Sequence, residues 1–317
     1  VLFEPHNYDG SIMRQTIALI VLIGISPTHA DNPPTWKPTD SDLLFSSGRD
    51  GNAEIYVLPA GESEWKNLTN HELSDNWPNW SPDGSRVVFQ SNRSGNLDIW
   101  VMNADGSEQT QLTDNPEPDY IAAWSGDGKS ITFTSWRKEA GDADRAPHIY
   151  TMNVDGSDER RLIKESTNTS EGANWSADGR HIVFSRKPGE LGADVFIADA
   201  DGSNEKRLTN EHEKNIYNGS PSFSPDGKWI AFYSDDTKSA ALVVMDVEGN
   251  QRRTVLAEGY NWYPKWSPDS QWLTYTAKVD DVGNIDVFAI KVSGDEPPVL
   301  LVGSPKREQE ASWSPKK

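Results

Sequence analysis

The chain has 317 residues, 35% hydrophobic and 25% charged, which is the composition of a globular protein rather than a disordered one. Its formal net charge of −19 repels a phosphate backbone and an anionic lipid surface, so nucleic acid is not an expected partner, and a basic protein surface is favoured. There is no cysteine, which removes disulfides, thiolate nucleophiles and cysteine-held zinc.

The first readable element runs from Met13 to Ala30, "MRQTIALIVLIGISPTHA". One Arg precedes an apolar run from Ile17 to Ile25, and Thr28 and Ala30 supply small residues before a cleavage point. This is the three-part plan of a secretory signal peptide. The apolar run is too short to span a bilayer. The expectation is a leader over residues 1–30, with the signal at 13–30. The mature chain then begins near Asp31, is periplasmic or secreted, and has no membrane insertion after cleavage.

A repeat fills the remainder. "WSPDGSRVVF" at Trp80 returns as "FSPDGKWIAF" at Phe223 and "WSPDSQWLTY" at Trp266. Further copies of the aromatic anchor fall at Trp124, Trp175 and Trp313, spaced by 43 to 51 residues, with a weaker copy at Trp36. Each unit reads as four short strands. An inner strand carries the anchor, and a Ser-Pro-Asp-Gly turn follows, with Pro and Gly where a type I turn takes them. The second strand is "RVVFQS" or its equivalent, the third "DIWVMN", and an "ADGS" turn leads to an outer strand ending near Leu-Thr. Pro78, Pro221 and Pro264 are expected just before the inner strand. Four strands per unit of this length predict a propeller, in which each blade buries its faces against its neighbours. The fold class is therefore all-β, a six-bladed β-propeller of four-stranded antiparallel blades over residues 31–317. Either "ASWSP" around Trp313 or "WKP" around Trp36 closes the first blade; the better motif at Trp313 favours the C-terminal strand.

The run "WSPDGSRVVFQSNRSGNLDIWVMNADGSEQTQLT" resembles the WD-like repeat of TolB-type propellers, and the resemblance extends from about Trp36 to Pro315. Related repeats occur in prolyl oligopeptidases and oligogalacturonate lyases. TolB proteins carry an α/β domain before the propeller, whereas here only a few residues separate the leader from the first repeat. The expectation is the propeller portion alone. No Gly-x-Ser-x-Gly elbow of a hydrolase domain occurs. The resemblance implies an exported, non-enzymatic platform that binds a cell-envelope protein. Two other classes stay open: a glycan-binding protein or oligogalacturonate lyase-like enzyme, and a structural envelope scaffold.

Candidates for chemistry are few. His71, His148, His181 and His212 occupy different points of the repeat without metal-ligand spacing. The Asp-Gly pairs sit at turn positions and lack the alternating oxygen ligands of a calcium loop. No catalytic, cofactor or metal residue is assigned. The pairs Arg49 and Glu54, Arg93 and Asp98, and Arg186 and Asp194 recur in step with the fold and are expected to pin the loop between second and third strands.

The loops on the face away from the Ser-Pro-Asp-Gly turns differ most, and "WRKEAGDADRAPH" from Trp136 to His148 is the longest insertion. Unequal loops on one face of a repeat fold suggest a binding face. The segments leading into the inner strands bring Asp75, Trp77, Asp119, Tyr120, Glu171, Tyr217, Tyr260, Trp262, Tyr263 and Glu310 toward the channel mouth. Aromatic side chains supply contact area there and carboxylates supply charge. The expected partner is an envelope protein or peptide segment, basic or mixed in charge, with a glycan as the alternative.

Overall fold

A computed structural model describes residues 41–315, apart from 141, 143–144, 165–167 and 281–282. Among these residues 24 strands form six antiparallel sheets of four. The inner strands of blades two to six are Asp75–Trp80, Asp119–Trp124, Thr169–Trp175, Tyr217–Phe223 and Asn261–Trp266. Blade one joins both ends of the domain. Its inner strand is Glu308–Trp313, paired antiparallel to Leu43–Ser47 with Leu43 opposite Trp313 and Ser47 opposite Glu308. The C-terminal strand closes the ring, as its stronger motif predicts; Trp36 lies outside the described residues.

The second strand of each blade carries consecutive rather than alternating buried residues because both of its faces are covered. In "RVVFQS" every residue after Arg86 is buried, and in "LLFSS" all five are. Six hydrophobic clusters fill the spaces between neighbouring blades. Val88, Ile99 and Val101 of blade two, for example, meet Trp124, Phe133 and Met152 of blade three. The cluster that closes the ring packs Phe45, Tyr56 and Trp313 of blade one against Trp272, Val287 and Val302 of blade six.

The repeated turns explain the repeated letters. Ser81 Oγ donates to Asp83 Oδ1 at 2.6 Å and accepts the Arg86 N–H at 2.9 Å, while the Gly84 N–H closes on Ser81 O at 2.9 Å. The set recurs at Ser125, Ser176, Ser224 and Ser267. The glycine of the "ADGS" turn has a second duty. A Cβ on Gly106 would lie 2.6 Å from Leu68 O of the preceding blade, and Gly156 and Gly202 make the same approach to Leu112 and Leu162. Only glycine lets this turn pack so closely on the neighbouring outer strand.

Two sequence expectations are corrected. Pro78, Pro221 and Pro264 lie inside the inner strands, which begin at Asp75, Tyr217 and Asn261, ahead of each proline. An inner strand is hydrogen-bonded on one side only, and these prolines sit at a bulge where ladder pairing lapses. The arginines choose other partners. Arg93 pairs with Asp75, Arg49 with Glu308 at 3.2 Å, and Arg137 with Asp119 at 2.6 Å, so each clamps the loop after the second strand to the start of the inner strand. Arg186 pairs instead with Glu205 at 2.5 Å and donates to Ser170 at 3.0 Å. The acids Glu54, Asp98 and Asp194 accept from Thr69, Thr113 and Thr209, each two residues past an outer strand. The spacing of Arg to acid is regular because two separate ties repeat together.

Candidate functional site

Every inner strand is interrupted at the same place. In each, two residues oppose a single residue of the second strand: Phe45, Phe89, Phe133, Phe184, Phe232 or Tyr275. Those six rings are buried. The first bulge residue adopts a left-handed conformation in all six blades: Trp77 (φ 54°), Ile121 (51°), Gly172 (68°), Ser220 (48°), Tyr263 (58°) and Glu310 (60°). This conformation disfavours side chains with a Cβ, yet five blades carry one. Neighbours hold the strained backbone. The Ile121 N–H donates to Gln90 at 2.9 Å, the Gly172 N–H to Thr134 at 3.1 Å and the Glu310 N–H to Thr276 at 3.1 Å, each from the preceding blade. In blade two Glu310 takes that role, accepting the Trp77 N–H at 2.9 Å and the Ser46 hydroxyl at 2.9 Å.

The bulges carry a girdle of side chains around the channel. The rings of Trp77 and Tyr263 meet edge to face at 4.7 Å, although their blades are separated by blade one. Tyr263 meets Tyr233 edge-on at 6.0 Å, and Tyr233 stacks on Tyr217 at 6.0 Å. Tyr217 donates its hydroxyl to Glu171, which also receives a hydrogen bond from Tyr120. Trp136, at the head of the long insertion, donates its indole N–H to Tyr120 at 3.1 Å. Six blades thus contribute to one ring of aromatic groups with two carboxylates in it. Gly219 makes room for this arrangement, since a Cβ there would fall 2.4 Å from the Tyr233 ring.

Enclosure changes the chemistry of the acids. Burial pushes the Glu310 carboxyl up to about 7, against the opposing pull of its hydrogen bonds from Trp77 and Ser46. Burial also raises Glu171, while its two tyrosine donors pull the other way. Burial together with the Glu171 carboxylate keeps the Tyr120 and Tyr217 phenols protonated, so they act as donors. The site can stack flat or apolar groups and hold a cation.

The ten sequence candidates divide into three groups. Trp77, Tyr120, Glu171, Tyr217, Tyr263 and Glu310 gather in the girdle. Tyr260 and Trp262 stack on each other at 5.7 Å as a separate pair. Asp75 and Asp119 are fully buried at the outer ends of their strands and held by Arg93 and Arg137, so they serve the blade clamps. Nine of the ten lie in strands rather than in loops; Tyr260 is the exception. Sequence reasoning missed Tyr233, Trp136 and Lys265. Tyr233 had a signal: it occupies the position of Ser46, Gln90, Thr134, Ser185 and Thr276, all smaller or polar.

The four histidines fall in separate places. His71 Nδ1 accepts the Leu73 N–H at 3.0 Å, His181 lies 3.7 Å from Asp199, His212 sits 2.8 Å from Asp194, and His148 is buried in blade three. Among the described residues no group of three or more His, Cys, Asp or Glu is placed to hold a metal ion.

Comparison with known proteins follows the two halves of the ring. The model of the Tricorn protease N-terminal β-propeller domain matches residues 52–191, and that of the TolB β-propeller domain matches residues 189–317. The Tol-Pal system protein TolB of Francisella tularensis subsp. mediasiatica (strain FSC147) is 36% identical over 99 residues, which are 29% of this chain and 22% of that protein. The matched stretch thus spans about a fifth of that relative. Among solved structures, TolB from Acinetobacter baumannii superposes with a TM-score of 0.74 at 19% identity, covering 88% of this chain and 68% of that one. Oligogalacturonate lyase from Vibrio parahaemolyticus gives 0.58 at 13%, covering 83% and 75%. At such identities both structures speak to the fold alone. With six four-stranded blades, a Tricorn-type propeller match over the first half and a TolB-type match over the second, the chain is a six-bladed β-propeller of the TolB-like kind.

Proposed function

We propose that this propeller is a non-enzymatic docking platform of the cell envelope, and that a protein or peptide segment binds at the girdle. The observation that carries this reading is the girdle itself: Trp77, Tyr120, Tyr217, Tyr233 and Tyr263 around the carboxylates of Glu171 and Glu310. Large rigid aromatics give contact area at small entropic cost, and buried acids reward a basic group that reaches them. The Tol-Pal system names of the relatives support an envelope setting. The reading "exported" rests on the leader at 13–30, which lies outside the described residues. N-terminal sequencing of periplasmic or secreted material should start near Asp31; soluble protein that retains Met13 would contradict export.

A glycan is the second reading, because sugars also stack on aromatic rings and the fold is shared with a lyase. Affinity capture from an envelope extract separates the two. The docking reading expects a basic or mixed-charge protein, recovered less as salt is raised, since exposed charges act over only ~8–10 Å at physiological ionic strength. Retention of oligosaccharide without protein, or cleavage of oligogalacturonate, would favour the glycan reading instead.

A further inference from the structure

Beyond the girdle the channel has a second tier, built from the residue just before each aromatic anchor. In three blades that side chain stitches the blade to the next one. The Asn79 amide donates to Ala122 O at 2.9 Å, the Asn174 amide to Pro221 O at 3.0 Å and the Ser222 hydroxyl to Pro264 O at 3.1 Å. In blade six the equivalent residue is Lys265, and the stitch is made by Thr274, whose hydroxyl donates to Ala311 O at 2.8 Å. Lys265 is thereby relieved of the structural task. Its ammonium reaches Asn174 Oδ1, two blades away, at 3.2 Å.

Among the described residues no carboxylate pairs with this ammonium. The two channel glutamates find their positive neighbours elsewhere, Glu171 in Lys187 and Glu310 in Arg307. An ammonium has three donors, and Asn174 takes one. Enclosure lowers Lys265 to about 8, with burial as the cause, so it remains charged at neutral pH. Lys265 is half-buried rather than sealed in the blade. An enclosed, unneutralised charge is costly to a fold, and a single hydrogen bond to the neutral amide of Asn174 does not offset it.

We propose that Lys265, positioned by its hydrogen bond to Asn174 Oδ1, binds a carboxylate inside the channel. One positive charge matches a monoanion. A dianion such as phosphate would bring excess negative charge into a lumen that already holds Glu171 and Glu310, in a chain of net charge −19. The same carboxylate can belong to a free small organic acid or to an acidic side chain of a segment threaded into the channel. The inference goes beyond docking at the girdle and stands apart from it, because a partner can engage Trp77 and Tyr263 whether or not Lys265 is occupied.

The test follows Lys265 directly. In full-length protein with 13C-labelled lysine, its signal is identified by loss in Lys265→Met, or in Lys265→Gln should the first variant not fold. The probes are acetate and the blocked tripeptide acetyl-Gly-Glu-Gly-amide; chloride and the Gln counterpart of the peptide are controls. The expected result is a saturable shift with a carboxylate and a rise of the Lys265 pKa above about 8. Carboxylate affinity then weakens roughly tenfold per pH unit beyond that point, as the free ammonium loses its proton. A response to acetate alone assigns the site to a free acid, and a response to both probes assigns it to acidic side chains as well. The proposal falls if neither carboxylate moves the signal, or if chloride or the Gln peptide moves it equally. Loss of partner capture with an intact carboxylate response would instead count against docking alone.

Discussion

The two ends of the inner strand obey different rules. At the turn end, Ser-Pro-Asp-Gly or a close variant repeats with the same internal hydrogen bonds, and each turn satisfies its own polar groups. At the bulge end, the backbone repeats six times with the same left-handed residue, but the side chains are Trp, Ile, Gly, Ser, Tyr and Glu. The first end is fixed by what each blade needs to fold. The second keeps the backbone fixed and leaves the side chain free, which is the arrangement expected of a surface chosen by a ligand.

The largest effect should come from opening the ring. Deleting residues 308–317 removes Trp313 from its cluster, together with the pairing to Leu43–Ser47 and the Glu308 clamp. Loss of a buried Trp alone costs about 3–5 kcal/mol, and an exposed apolar strand edge adds aggregation. A urea melt should show loss of the cooperative transition or destabilisation beyond about 5 kcal/mol. A melt like that of the intact chain would mean another segment closes blade one.

The next effect tests the clamps, which belong to folding rather than binding. Arg137 holds the buried Asp119 and stacks over Phe133 and Tyr150 at 5.3 and 5.1 Å. Arg137→Met leaves a buried acid without its counter-ion, so destabilisation of about 3–5 kcal/mol is expected in the same assay. Restoration of most of that loss by Asp119→Asn in the same chain would confirm the pairing as the cause; no loss at all would show the clamp to be dispensable.

A smaller effect lies in the girdle and depends on pH. Glu310 has a folded value of about 7 against an ordinary 4.5, so its contribution to stability is complete below pH 4.5 and declines as pH rises toward 7. Glu310→Gln removes that decline. Relative to wild type it should be increasingly favourable between pH 4.5 and 7, by about 1–3 kcal/mol at the upper end, and level above. A difference that does not vary over this range would show that Glu310 titrates as an ordinary acid. The same shift makes affinity for a basic segment rise through pH 7 rather than saturate near pH 5, a contrast that equilibrium binding at several pH values would read.

The fold was legible because its physics is periodic: the anchor, the Asp-Gly turns and the apolar second strand recur wherever a blade must pack. Trp313 could be chosen over Trp36 for the same reason. The site was legible only in part. Trp77, Tyr263 and Glu310 share one repeat position, but the bulge that gives them their role leaves no letter in common. Asp75 and Asp119 looked like mouth carboxylates because charge is visible in a sequence, whereas burial beside Arg93 and Arg137 is not. Lys265 escaped notice because its meaning lies in the Thr274 that replaces it.

The central claim is that binding belongs to the bulge end and not to the turn end. Its most direct test is capture from one envelope extract by three folded proteins: wild type, the double variant Trp77→Ala/Tyr263→Ala, and the double variant Asp83→Ala/Asp201→Ala, with quantitative mass spectrometry of what each retains. The aspartates tie only their own turns. The girdle variant should lose the wild-type partner by roughly 1–3 kcal/mol for each anchor removed, and the turn variant should keep it. A partner lost with the turn variant and kept by the girdle variant would place the binding face on the opposite end of the propeller.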